Sequence, residues 1–265
     1  MSMTRILVTL AVLWLAGTTF SARAAATTPV VLGAEDDAAP WSYADGTGYV
    51  NDLVRQAFAE MGERVEFKVM PYARCKALTI RGELAGCFSA SQVPELAHKL
   101  VYSQTPVFEA RNLLVTLSRA PWSGCDSTRW PRPPRVGTVR AYEYTPQLEQ
   151  ALKGPTMIRH EADSEISNLR KLAAGRIDAL VITVDDVKRL KLLQTLAQTH
   201  ADIKTVCDYG VQPAYVAFSR AHPQGLSAQR SFDQGVARLR ARKVFAHLQE
   251  EWRNRAIERA SAKQH

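Results

Sequence analysis

Residues 119–139 read Arg119-Ala120-Pro121-Trp122-Ser123-Gly124-Cys125-Asp126-Ser127-Thr128-Arg129-Trp130-Pro131-Arg132-Pro133-Pro134-Arg135-Val136-Gly137-Thr138-Val139. Four prolines and two tryptophans fall within 119–134 with little hydrophobic periodicity, so regular structure stops there. At Arg135 a strand pattern resumes. The break marks a domain crossing or an irregular edge, and the segments on either side of it carry the same rhythm of strand and helix. Two α/β units are therefore expected rather than one.

Upstream, Val30-Val31-Leu32-Gly33 is a short apolar strand followed by a polar, proline-containing loop. Asn51 is expected to cap a helix with Leu53, Val54, Ala57, Phe58 and Met61 on one stripe, and Gly62 to stop it. Val65, Phe67 and Val69 alternate with Glu66 and Lys68, as in a strand with one buried face. Pro71 can open a helix that runs to Arg81 and stops at Gly82, after which Ala85 to Ser89 reads as a strand. Leu100 to Tyr102 and Arg111 to Leu117 are extended. Downstream of the break, strands are expected at 135–139, 156–159 and 177–183, with helices at 145–152, 164–174 and 185–196. Ala214 to Phe218 reads as a strand bounded by Pro213 and Pro223, and Ser227 to Ala260 as one helical tail.

The first residues bear on compartment. Arg5 supplies a positive start, Ile6 to Phe20 an apolar run, and Ala22-Arg23-Ala24 a small-x-small site, the pattern of a secretory signal peptide over 1–24. A soluble periplasmic protein is expected, with its formal net charge lowered from +8 to +6 by loss of Arg5 and Arg23. The basic residues are scattered apart from Arg238 to Lys243, which lacks the interleaved aromatics of a nucleic-acid surface. Such an exterior could steer an anionic ligand or an acidic protein partner. Four cysteines, Cys75, Cys87, Cys125 and Cys207, suit an oxidising compartment, and the sequence alone permits three pairings. No His or Cys pair has metal-ligand spacing, so neither metal nor cofactor is expected.

The motifs, taken in order, carry a resemblance. They are Ala39-Pro40-Trp41-Ser42-Tyr43 with Gly48-Tyr49-Val50-Asn51-Asp52-Leu53, then Arg81-Gly82-Glu83-Leu84-Ala85-Gly86-Cys87-Phe88, then Tyr102-Ser103 before Pro106. Val136-Gly137-Thr138 and Ala174-Gly175-Arg176-Ile177-Asp178-Ala179 complete the set. Together they resemble the family 3 extracellular solute-binding proteins, which include polar amino acid receptors of ABC transporters. The resemblance implies an α/β, two-lobed periplasmic binding protein type II fold with a two-strand hinge. Lobe 1 would hold 25–117 and 214–265, and lobe 2, inserted, 118–213. Pairing within lobes, Cys75 with Cys87 and Cys125 with Cys207, would leave the hinge free to move. The implied function is capture of a small polar ligand, amino acid-like or an organic anion, between the lobes of a monomer that serves an inner-membrane ABC permease or a sensor kinase.

In open parallel sheets the ligand crevice lies beyond the carboxyl ends of the strands. That rule selects Trp41, Tyr43, Tyr72, Arg74, Ser89 and Ser91 in lobe 1, and Arg140, Tyr142, Thr183 and Asp185 in lobe 2. Trp41 and Tyr43 could be flat walls for a ligand or staples over the first helix. Arg74 could clamp a carboxylate or phosphate through its planar fork. Backbone N–H groups from Arg140 to Tyr142 would form an anion nest if a helix starts there. Tyr142 and Tyr144 read equally as packing or contact, and Asp52 as a first-turn helix acid.

Two departures separate the chain from amino acid receptors of that family. The place of the arginine that grips the ligand carboxylate is Leu96, and the place of the aspartate that holds the amine is Thr183. Asp185 is the substitute if the strand carries a bulge, and Arg74 the replacement anchor. The competing reading is a periplasmic enzyme similar to cyclohexadienyl dehydratases, for which Glu143, Glu161 and Glu165 are available acids. No Gly-x-Ser-x-Gly, His-Glu-x-x-His or P-loop pattern is present, so a binding protein is the expectation.

Overall fold

The apolar run after residue 29 becomes β1 (Val30–Glu35), whose Leu32 and Ala34 are fully buried. Two short strands, β2 (Asp37–Ala38) and β3 (Ser42–Tyr43), fold the following loop back on itself. Helix α1 (Tyr49–Ala59) buries Leu53, Val54, Ala57 and Phe58. β4 (Val65–Met70), α2 (Tyr72–Arg81), β5 (Gly86–Ala90) and β6 (Leu100–Tyr102) complete the first α/β unit. Gly82 ends α2 in the left-handed region at φ 79°, where a side chain would also crowd Ala221. The computed structural model describes residues 28–262, so the expected signal peptide lies outside the described residues.

The chain then leaves through β7 (Phe108–Leu117) and builds β8 (Arg135–Val139), α3 (Pro146–Lys153), β9 (Ile158–Ala162), α4 (Glu165–Ala173), β10 (Ala179–Val184) and α5 (Leu190–Leu196). It returns through β11 (Ile203–Ser219) to α6 (Gly225–Ala241) and α7 (Val244–Ala262). In the first sheet β1 lies parallel to β4 and β5, with β11 antiparallel to β5 and β6. In the second, β8 lies parallel to β10 and β9, with β10 antiparallel to β7. This is the type II periplasmic binding protein fold.

Backbone pairing runs on from one sheet to the other through β7 and β11, with register shifts at Thr205/Cys207 and Asp208/Val211. The cores are largely separate, although Val187 and Leu196 of the second lobe pack into the first. Leu32, Phe58, Phe88, Phe218 and Phe232 pack in the first lobe. In the second, Leu114 and Val181 face one side of the sheet while Val115 and Leu180 face the other, as strand alternation requires. β7 pairs with β10 from Arg111 onward, so the chain enters the second sheet earlier than the expected 117/118 boundary.

The proline-rich stretch is an irregular edge. Trp122 and Trp130 are buried over the second core, and their indole N–H groups donate to the carbonyls of Arg132 and Ser123. Cys125 is bonded to Cys207, which fastens that edge to β11, and Cys75 is bonded to Cys87, which joins α2 to β5. Among the described residues no helix is long and apolar enough to cross a membrane.

Several local expectations need correction. Asn51 lies inside α1, where its amide donates to the Gly46 carbonyl, and Gly48 is the residue before the helix. No helix starts at Arg140, because Ala141 turns the chain at φ 63° and α3 waits for Pro146 at its first position. The helix expected from Asp185 begins only at Leu190, because the Asp185 carboxylate accepts from the N–H groups of Val187 and Lys188 and holds a turn. Pro213 lies within β11, tolerated because β5 joins that strand only from Tyr215. The tail is two helices, broken at Lys243 with φ 59°.

Helices α1 and α6 approach closely at Gly235, where an added Cβ would stand 1.9 Å from the Ala57 carbonyl oxygen. Gly235→Ala should therefore force the helices apart and destabilise the protein by roughly 1–3 kcal/mol, read as a lower urea midpoint at unchanged slope.

Candidate functional site

The carboxyl ends of β1, β5, β8 and β10 meet between the lobes, and Glu35, Ser89, the Tyr142–Glu143 turn and Thr183 stand there. They enclose a cavity of about 30 Å³, room for a water or two in this closed arrangement. Trp41 forms one wall, stacked on Phe108 with ring centroids 3.8 Å apart. Asn112 and Gln212, from the two crossing strands, line the back.

Polar bonds across the cleft hold the lobes together. The Trp41 indole donates to Asp185 Oδ2 at 2.8 Å. Tyr142 donates to Glu35 Oε1 at 2.6 Å. Glu143 accepts from the Tyr72 hydroxyl at 2.8 Å and pairs with Lys76. Apolar contact adds to these: Val187 and Leu196 pack into the first-lobe core, Tyr142 against Tyr72, and Leu192 of α5 against Ala256 and Ala260 of α7.

Inside the second lobe, Lys188 is 1% and Glu165 4% exposed, and their charged ends lie 2.5 Å apart. Glu165 also accepts from the N–H and hydroxyl of Thr183 at 2.7 and 2.8 Å. The Lys188 ammonium sits 4.0 Å from the centre of the Trp41 ring, a cation over an aromatic face. Glu35 is 2% exposed, and burial pushes its carboxyl up to about 8 against the lowering influence of Tyr142 and Lys188. Burial also raises Asp185 and lifts the Tyr72 and Tyr142 phenols well above their usual range.

Of the residues selected from sequence, Trp41, Ser89, Ser91, Tyr142 and Thr183 line the cavity. Tyr72 and Asp185 do not line it and are hydrogen-bonded to Glu143 and Trp41, which do. Three others lie elsewhere. Tyr43 packs against Trp252 and under Arg259, a staple to the C-terminal helix. Arg74 is exposed and does not line the cavity, since it faces outward from the α2 turn that buries Tyr72 and Cys75. Arg140 is 57% exposed and lies near the surface acids Glu161 and Asp163. Asp52 accepts from the Trp252 indole and so ties α1 to α7.

Sequence reasoning missed Glu35, Phe108, Asn112, Gln212, Lys76 and Lys188. Glu35 was legible as an acid ending an apolar strand, whereas nothing in the local pattern marks Lys188, which the Asp185 turn carries inward. Among the described residues, no group of three or more His, Cys, Asp or Glu could hold a metal ion.

No protein-family model matches the sequence, and no curated protein matches it. Solved structures do match its fold across most of the chain. A histidine kinase sensor domain with similarity to periplasmic binding proteins has a TM-score of 0.72 at 18% identity, over 84% of this chain and 95% of its own. The substrate binding protein of an amino acid ABC transporter scores 0.70 at 17% identity, over 85% and 99%. The arginine-, lysine-, histidine-binding protein ArtJ from the thermophilic bacterium Geobacillus stearothermophilus scores 0.70 at 15% identity, over 85% and 95%. The fold class is thereby that of the two-lobed binding proteins, shared with amino acid transport receptors and a kinase sensor domain alike.

Lys188→Met would leave Glu165 buried without its ion partner and should cost about 3–5 kcal/mol in denaturant titration, most of it recovered by adding Glu165→Gln. Glu35 keeps its proton up to about pH 8 when folded, against an ordinary value of 4.5. Its contribution to stability is thus full below about pH 4.5 and lost as pH rises to about 8. Across that window wild type should lose on the order of 1–3 kcal/mol relative to Glu35→Gln, measured by urea titration at each pH.

Proposed function

We propose that this protein is a periplasmic solute-binding protein that captures a small polar ligand between its lobes and delivers it to an ABC-type importer. The observation that carries this reading is the cavity at the strand ends, walled by both lobes and bridged by the Trp41–Asp185, Tyr142–Glu35 and Tyr72–Glu143 bonds. Closure of two such lobes around a ligand is the movement this architecture supports. Export through the signal peptide over 1–24 belongs to the same reading, and two disulfides accord with an oxidising compartment. Presentation of ligand to a sensor kinase is the second reading, favoured by the likeness to a histidine kinase sensor domain.

Refolded, ligand-stripped protein should show a selective rise in melting temperature with one class of small polar solute, growing with ligand concentration as native-state binding requires. The same solute should shrink the radius of gyration in solution scattering. A flat response to amino acids, amines and organic acids would overturn the proposal, and turnover of prephenate in those samples would move the reading to a dehydratase.

A further inference from the structure

The solute-binding reading leaves open what the cleft recognises, and the charge pattern of its walls narrows it. Two carboxyls line the cavity, Glu35 from the first lobe and Glu143 from the second, together with the Trp41–Phe108 pair. The remaining polar lining is neutral: Ser89, Asn112, Gln212 and their neighbours. No lysine or arginine is in the lining. The nearby cations are already spent, Lys188 on Glu165 and Lys76 on Glu143. A carboxylate entering this space would meet the Glu35 carboxyl and the Lys76-paired Glu143, with no free cation to neutralise it, at a high desolvation cost.

A positive group meets the opposite situation. Only Oε1 of Glu35 is engaged, by Tyr142, although the residue is 2% exposed. Ser89, held in the left-handed region at φ 66°, brings to the same cavity a buried hydroxyl oxygen with no hydrogen-bond partner among the described residues. Lys188 covers one face of Trp41 and Phe108 the other, so the wall offers a ligand its ring edges.

We infer that the ligand is an organic cation without a carboxylate of its own, an amine or guanidine seated against Glu35 and the Ser89 hydroxyl, beside the Trp41–Phe108 wall. This rests on the solute-binding reading and deepens it. The cation displaces the proton that Glu35 holds in the buried cleft, so binding releases a proton to solvent. The groups facing Glu35 are Asp36 from its own chain segment, Tyr142 from the turn after β8, Glu165 from α4 and Lys188 from the turn after β10.

The test is calorimetric titration of refolded protein at pH 7 with two pairs that differ by one carboxylate, cadaverine against lysine and agmatine against arginine, plus glutarate. The decarboxylated member of at least one pair should bind ~10-fold or more tightly than its amino acid. Its heat should vary with buffer ionisation enthalpy, in the sense of proton release. Glu35→Gln, a near-isosteric change, should weaken that binding by ~10-fold or more and abolish the buffer dependence, while its urea midpoint confirms that it folds. Tighter binding of lysine, arginine or glutarate would overturn the inference and leave the solute-binding reading standing. Amine binding unaffected by Glu35→Gln would overturn the assigned seat. Failure of all five probes would overturn the inference, and the thermal screen of other solutes then decides the broader reading separately.

Discussion

The antiparallel ladder of β7 and β11 is the constraint on which the rest depends. β11 belongs to both sheets, running from its Leu117 partner in the second lobe to its β5 and β6 partners in the first, and β7 pairs with it along the crossing. Because the ladder fixes how the sheets face one another, the carboxyl ends of β1, β5, β8 and β10 converge. Its own residues, Phe108, Asn112 and Gln212, form the back of the cavity. The register shifts in β11 add local twist at the crossing.

The disulfides respect that geometry. Cys75–Cys87 joins α2 to β5 within the first lobe, and Cys125–Cys207 fastens the proline-rich edge to β11 within the second. Each cross-link limits the unfolded chain of its own unit, and neither spans the cleft. A bridge from one lobe to the other would be incompatible with the lobe closure of the proposed function.

Much of this fold was legible because its signals are local. Alternation at Val65, Phe67 and Val69, the stripe from Leu53 to Phe58, and glycine stops at Gly62 and Gly82 each depend on a few adjacent residues. The failures share another cause. Asp185 and Lys188 look helical until the carboxylate takes the N–H groups of its own next residues, a competition that composition cannot decide. The site shows the same division. The strand-end rule reached Trp41, Ser89, Ser91, Tyr142 and Thr183, while Phe108, Asn112 and Gln212 lie along the crossing strands, where that rule is silent. Arg74 and Tyr43 satisfied the rule in sequence position, yet helix phase turned one outward and Trp252 claimed the other.

The cleft is closed mainly by polar bonds, and that choice bears on reversibility. Hydroxyl, indole and carboxylate groups that part on opening are taken up by water, so each such bond adds only about 0.5–1.5 kcal/mol net, rather more where a charge is involved. Opposing them is burial of the Glu35 carboxyl, which closure tolerates only while that group is neutralised. On the proposed reading, the balance between open and closed lobes would be set by these polar contributions together with the apolar packing of Val187, Leu192 and Leu196 across the cleft. A ligand shifts such a balance through whatever it contributes in the closed form alone. Here that difference lies in the contacts that join ionisable groups of one lobe to partners on the other: Glu35 with Tyr142, Lys188 and Asp185 with Trp41, and Glu143 with Tyr72 and Lys76.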